Sequence, residues 1–150
     1  MQPKIYIGSD HAGYELKELL KIYLSDLKHE VEDCGAFTLD SEDDYPDFIQ
    51  PVAEKVAQNP ESFGIILGGS GQGEAMCANR TAGIRASVYY GGTLDMIKVT
   101  REHNNANILS LGARFITEEE AQQAVSLFLT TKFSDEPRHL RRITKLDSHN

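Results

Sequence analysis

The chain has 150 residues, 40% hydrophobic and 25% charged, with a formal charge of −8 at pH 7. That length suits one domain with its own core, and the negative charge argues against nonspecific binding to nucleic acid or anionic membranes. Two cysteines, Cys34 and Cys77, make neither a disulfide scaffold nor a zinc ribbon. The opening residues lack the apolar core of a secretion signal and no apolar run is long enough to cross a bilayer, so the expected compartment is the cytoplasm.

In chain order, "KIYIGS" (4–9) reads as a first strand. "YELKELLKIYLSDL" (14–27) follows, with Leu16, Leu19, Leu20, Tyr23, Leu24 and Leu27 at helical spacing. "HEVEDCG" predicts a second strand, "FTLDSEDDYPD" an acidic loop, and "FIQPVAEKVAQN" a helix with Pro51 in its opening turns. "FGIIL" (63–67) is apolar on both faces, as a central parallel strand must be. After it come a glycine loop and a helix, a strand in "GIRASVYY" (83–90), a helix around "TLDMIKVTREHN", a strand in "ANILSLG" (106–112) and a helix over 117–131. Thr117 and Glu120 have the spacing of a capping box at the start of that last helix. A basic, helical tail begins near residue 135 in "EPRHLRRITKLDSHN". The alternation predicts a single α/β domain over 1–150, a Rossmann-like three-layer α/β/α fold with a parallel sheet of about five strands. Ligands in such folds sit at the C-terminal ends of the strands, where "SDHAG", "GGSGQGE" and "YYGG" should emerge.

The glycine loop carries glycines at 68, 69, 71 and 73 and a serine at 70. Such a loop turns tightly and exposes N–H groups to a phosphate or a developing oxyanion. It is not a Walker A loop, because no Gly-Lys-Ser/Thr follows. It is a poor dinucleotide fingerprint too, because it follows the third strand. Glu74 is out of place in it: a carboxylate can cap a helix start, yet it would repel a phosphate. The conflict disappears if the loop holds an enolate-like oxygen and Glu74 is the base that exchanges a proton with the adjacent carbon.

Asp10 and His11 follow the first strand, where Asp10 could equally be a helix cap and His11 a solvated loop residue. His103 and Asn104 precede another strand, at what could be a plain helix end. Arg138 and Arg142 are four apart, so on a helix their guanidinium forks share a face and can clamp a phosphate; a salt-bridged surface helix is the alternative. No His-x-x-x-His, Cys-x-x-Cys or EF-hand spacing marks a metal site. Cys77 fits a small residue on a helix face better than a nucleophile.

Taken together, "IGSDHAGYELK", "DYPDF", "GGSGQGEAMCANR", "AGIRA", "REHNNANIL" and "RHLRR" resemble the type B ribose-5-phosphate isomerases, in order and spacing from residue 4 to about 145. That family also includes isomerases of galactose and allose 6-phosphates. The resemblance implies a metal-free, cofactor-free aldose–ketose isomerase whose active sites lie at a homodimer (or tetramer) interface. One branch of the family has a cysteine base where this chain has Gly68; the other has a glutamate where this chain has Glu74. By position, the resemblance makes Glu74 the base between C1 and C2, and Ser70 with the N–H groups around Gly71 and Gly73 the oxyanion holders. Asp10 and His103 would open the furanose ring, and Asn104 and Tyr45 would hold the sugar. His11, Arg138 and Arg142 would grip the phosphate, with Arg114 nearby. A non-catalytic phosphosugar sensor would have little use for Glu74, Asp10 and His103 together, and a flavodoxin-like nucleotide module would carry its phosphate loop after the first strand.

Overall fold

Ile5, Tyr6 and Ile7 send side chains to both faces of their strand, and all are buried, so helices must cover both faces of the sheet. The computed structural model describes residues 2–149; the first and last residues of the expected 1–150 unit lie outside the described residues. Its strands are β1 (Ile5–Ser9), β2 (Val31–Asp33), β3 (Phe63–Gly68), β4 (Ala86–Tyr89) and β5 (Ile108–Gly112). They form one parallel sheet in the order β2-β1-β3-β5-β4. The strands buried almost throughout, β1, β3 and β5, are the three central ones, and the partly exposed β2 and β4 are the edges.

The helices are α1 (Tyr14–Asp26), α2 (Pro46–Gln58), α3 (Gln72–Ala78), α4 (Asp95–Asn104), α5 (Glu118–Thr130) and α6 (Pro137–Asp147). Leu20 and Leu24 of α1, Ile97 of α4 and Val125 and Phe128 of α5 pack against Ile5, Ile7, Ile65 and Leu109 on one face. Ile49, Val52 and Val56 of α2 and Ala78 of α3 pack against Tyr6, Ile66 and Ile108 on the other. Helix α6 lies against α4 outside these layers. The expected capping box forms: the Glu120 N–H donates to Thr117 Oγ1 at 3.1 Å, and the Thr117 N–H to Glu120 Oε1 at 3.3 Å.

The apolar stripe of α1 differs from its periodicity. Leu19 and Leu27 are 41% and 40% exposed, whereas Lys17 is fully buried. Lys17 Nζ lies 2.7 and 2.9 Å from the two carboxylate oxygens of Asp33, and Lys21 Nζ lies 2.7 Å from the same carboxylate. Burial alone would raise the Asp33 carboxyl, but hydrogen bonds from Lys17, Lys21 and the Gly35 N–H outweigh it and hold the group below its ordinary value. The connection reaches the first loop: the Gly35 N–H donates to Asp33 at 2.9 Å, the Ser9 N–H donates to the Gly35 carbonyl at 2.8 Å, and the Ala36 N–H donates to the Ser9 carbonyl at 2.6 Å. Lys17 thus fixes the end of β1. Lys17→Met leaves Asp33 with Lys21 alone, so the expected loss is about 3 kcal/mol, at the low end for a broken buried pair. Urea unfolding checks this, and a loss below about 1 kcal/mol would mean the pair behaves as a surface one.

Candidate active site

Chain direction at the C-terminal ends of β1 and β3 creates the site. Ser9 pairs with Leu67, so the loops after the two strands leave the sheet side by side. The first turns toward α1 on one face and the second toward α3 on the other. Such a divergence opens a crevice in any parallel sheet. Here it is a cleft of about 410 Å³ walled by Asp10, His11, Tyr45, Ser70, Glu74 and Arg114.

The glycine loop puts Glu74 there. Gly71 adopts a left-handed conformation, φ 78°, ahead of α3 and is held by Ser110 Oγ donating to its carbonyl at 2.7 Å. The Ala113 and Arg114 N–H groups donate to the carbonyls of Gly68 and Gly69 at 2.8 and 3.1 Å, so the chain beyond β5 supports the loop. Glu74 then folds back over the end of β3, and its carboxylate fills the space a Cβ at residue 68 would need. It is 4% exposed. Burial pushes its carboxyl above the ordinary value and the negative charge of Asp10 pushes it further, against a smaller opposing effect from its own backbone N–H. A carboxyl raised in this way holds a proton more readily than an exposed one, as a group that takes and returns a proton must. The thiols are not: burial pushes Cys34 up to about 11 and also raises Cys77.

The other walls are equally specific. The Tyr45 hydroxyl lies over Gly73 and the Arg114 guanidinium over Gly69, each where a side chain on the glycine would collide or crowd. Asp10 does cap the turn at 11–13, accepting the Ala12 N–H at 3.0 Å, but at 7% exposure it also lines the cleft. His11 is held by a residue that local sequence gave no reason to choose. Asp43 Oδ1 lies 2.7 Å from His11 Nδ1 and accepts the His11 N–H at 3.1 Å. The hydrogen bond to Asp43 and the charge of Asp10 raise the His11 imidazole above its ordinary value, against burial and Arg114. Asp10, His11 and Asp43 could offer three donor atoms to a cation, but the His11 nitrogen is already engaged and Arg114 adds a positive charge. The arrangement suits an anion better.

His103, Asn104, Arg138 and Arg142 are not in this cleft. Each helix between parallel strands runs back against them, so the last turn of α4 lies at the opposite edge of the sheet. There the His103 ring stacks on His139, centroids 4.3 Å apart and planes 15° from parallel. Arg85 ties this region together, its Nε donating to the carbonyls of Asn104 and Asn105 and its Nη1 to Asp147 of α6. One chain therefore brings together seven of the expected residues around Glu74 (Asp10, His11, Tyr45, Ser70, Gly73, Glu74 and Arg114), with Gly71 forming the turn behind them. It holds the other four apart on α4 and α6.

Residues 5–146 match the family described as Ribose/Galactose Isomerase. The chain belongs to this family. Ribose-5-phosphate isomerase B of Mycolicibacterium paratuberculosis is 44% identical over 140 residues, 93% of this chain and 87% of that protein. The crystal structure of ribose-5-phosphate isomerase B from Mycoplasma genitalium with bound ribulose 5-phosphate superposes with a TM-score of 0.93 at 37% identity, covering 99% of this chain and 97% of that one. The Thermotoga maritima ribose 5-phosphate isomerase gives 0.91 at 45% identity, covering 99% of each chain.

In this member of the ribose/galactose isomerase family the carboxylate of Glu74 occupies the space beside Gly68. A side chain at 68 and the carboxylate of Glu74 compete for one volume. The raised carboxyl also has a stability consequence. A group whose folded value lies above its unfolded one favours the fold while protonated and loses that contribution as pH rises through the folded value. Glu74→Gln, which mimics the protonated form, should raise the melting temperature at pH 8 and leave it nearly unchanged at pH 4. Calorimetry at both pH values checks the sign.

Proposed function

We propose that the chain interconverts ribose 5-phosphate and ribulose 5-phosphate through a cis-enediolate, without a metal or other cofactor, as a cytoplasmic homodimer of one phosphosugar isomerase domain per chain. The observation that carries the base assignment is Glu74: a buried carboxyl of raised affinity for protons, in a cleft with Ser70 and two cationic side chains. Among the described residues no helix is long and apolar enough to cross a membrane.

In this reading Asp10, and His103 from the second copy, move the protons that open the furanose to the aldehyde. Glu74 removes the proton on C2; the C1 carbonyl becomes the enediolate oxygen, stabilised by Ser70 and the N–H groups of Gly71 and Gly73. As the C2 hydroxyl passes its proton to the enediolate oxygen on C1 and becomes the ketone, Glu74 returns its own proton to the C1 carbon. Tyr45 and Asn104 hold the sugar hydroxyls. His11 and Arg114 meet the phosphate from one chain, and Arg138 and Arg142 from the other. Binding energy at the phosphate then orients C1 and C2 against Glu74.

Purified protein with ribose 5-phosphate and EDTA should form ketopentose, and Glu74→Gln should lower kcat by about 10²-fold or more with little change in KM. Near-normal kcat in that variant would remove Glu74 from the mechanism; turnover of galactose or allose 6-phosphate in place of the pentose would move the substrate class. Shared sites give a second test. Glu74→Gln and His103→Ala subunits, each inactive alone, should regain about a quarter of wild-type activity when mixed and allowed to exchange, since half the dimers then hold one intact site. No recovery in demonstrably mixed dimers would place His103 outside the partner's site.

A further inference from the structure

The acidic loop before α2 contributes Asp43, which no reading of the site has so far used. Its side chain is 8% exposed, and one oxygen takes both the His11 backbone N–H (3.1 Å) and His11 Nδ1 (2.7 Å). The other oxygen is buried and has no hydrogen-bond partner among the described residues. An ionised carboxylate only accepts, so the proton between them sits on Nδ1. The tautomer then dictates what His11 can bind. Neutral His11 would turn the bare lone pair of Nε2 toward any ligand, which repels a phosphate oxygen. Protonated His11 offers Nε2–H and a positive charge.

We infer that Asp43 is a positioning residue that fixes the ring of His11 and keeps it as the imidazolium, so that phosphosugar binding depends on a buried Asp–His pair. The inference rests on the reading of His11 as a phosphate ligand. The charged and titratable groups around the ring are few. Asp10 Oδ2 lies 4.0 Å from Nδ1 on the same segment. Asp43 comes from the loop before α2 and Arg114 from the loop after β5, with Glu74 of α3 and Tyr45 on the same cleft. Asp43 and Asp10 favour the cation and Arg114 opposes it. Asp43 also holds the residue through two hydrogen bonds, one from the ring Nδ1 and one from the His11 backbone N–H.

The test is the pH dependence of KM for ribose 5-phosphate in Asp43→Asn, which keeps an acceptor oxygen for Nδ1–H but removes the charge. With His11 returned to an ordinary value near 6.5, only about a tenth of it is protonated at pH 7.5, so KM should rise there, by up to about tenfold if the wild-type ring is fully charged. At pH 5.5 the variant and wild-type KM should converge to within about twofold, and kcat should change much less than KM throughout. A KM ratio that stays constant from pH 5.5 to 7.5 would reduce Asp43 to a structural role and overturn the inference. His11→Gln is run alongside. If it leaves KM unchanged, the phosphate role of His11 fails; if it raises KM while Asp43→Asn does not, only the Asp43 inference fails. Should Asp43→Asn not fold, NMR titration of the wild-type imidazoles decides: a His11 that titrates at or below about 6.5 overturns the proposal.

Discussion

Residue 68 has no side chain, and the site depends on the volume this leaves free. At the end of β3, hydrogen-bonded to β5 and shielded by α3, that volume is cut off from water, and the carboxylate of Glu74 fills it. The neighbouring features serve the same placement. Gly71 supplies the left-handed residue that turns the chain into α3, so that Glu74, three residues on, faces back over the strand. Ser110 and the N–H groups of Ala113 and Arg114 hold the loop from the β5 side, which prevents Glu74 from swinging outward with a mobile loop. Burial that would be costly for a structural carboxylate here raises its proton affinity toward the range a base needs.

The direction of the helices sets a second constraint. Residues that follow strands gather at one edge of the sheet and residues that end helices gather at the other. Asp10, His11, Ser70, Glu74 and Arg114 belong to the first set, and His103 and Asn104 to the second. No side-chain motion within one chain carries the end of α4 across the sheet, so a site that uses both sets needs two copies. Arg85 and the His103–His139 stack join the end of α4 to α6. His103, Asn104, Arg138 and Arg142 therefore belong to one joined region, which a second copy could receive as a whole.

Much of this was legible in the sequence because it followed from local rules. The apolar run of β3 marked a central strand, and the Thr117–Glu120 spacing marked the start of α5. Other features were set by partners far along the chain. Periodicity put Leu19 and Leu27 on the apolar stripe of the 14–27 segment, yet both are exposed, while Lys17 is buried where Asp33, 16 residues on, takes its ammonium. Asp43 looked like one more acid in a solvated loop. Its role depends on His11, 32 residues away, and no local pattern links them. The family resemblance supplied the cast of site residues in order, but a single sequence does not encode which members share a chain's own cleft and which face outward from its opposite edge.

The acid in the anion loop and the cations around it solve one electrostatic problem. An arriving phosphate dianion, like the neighbouring Asp10, raises the proton affinity of Glu74, and a protonated Glu74 is no base. Like charges sharing one partly buried cleft repel, and that repulsion favours the neutral carboxyl. With a net charge of −8, the protein as a whole offers no compensating field. The compensation has to be local and travel with the phosphate. Arg114 over Gly69 and the Asp43-held His11 lie on the same cleft as Glu74 but not against it, since the space around its carboxylate is filled by the end of β3. In the proposed reaction, cations at the phosphate end would therefore do more than bind: by cancelling the dianion before its field reaches Glu74, they would leave the proposed base ionised when the substrate is in place.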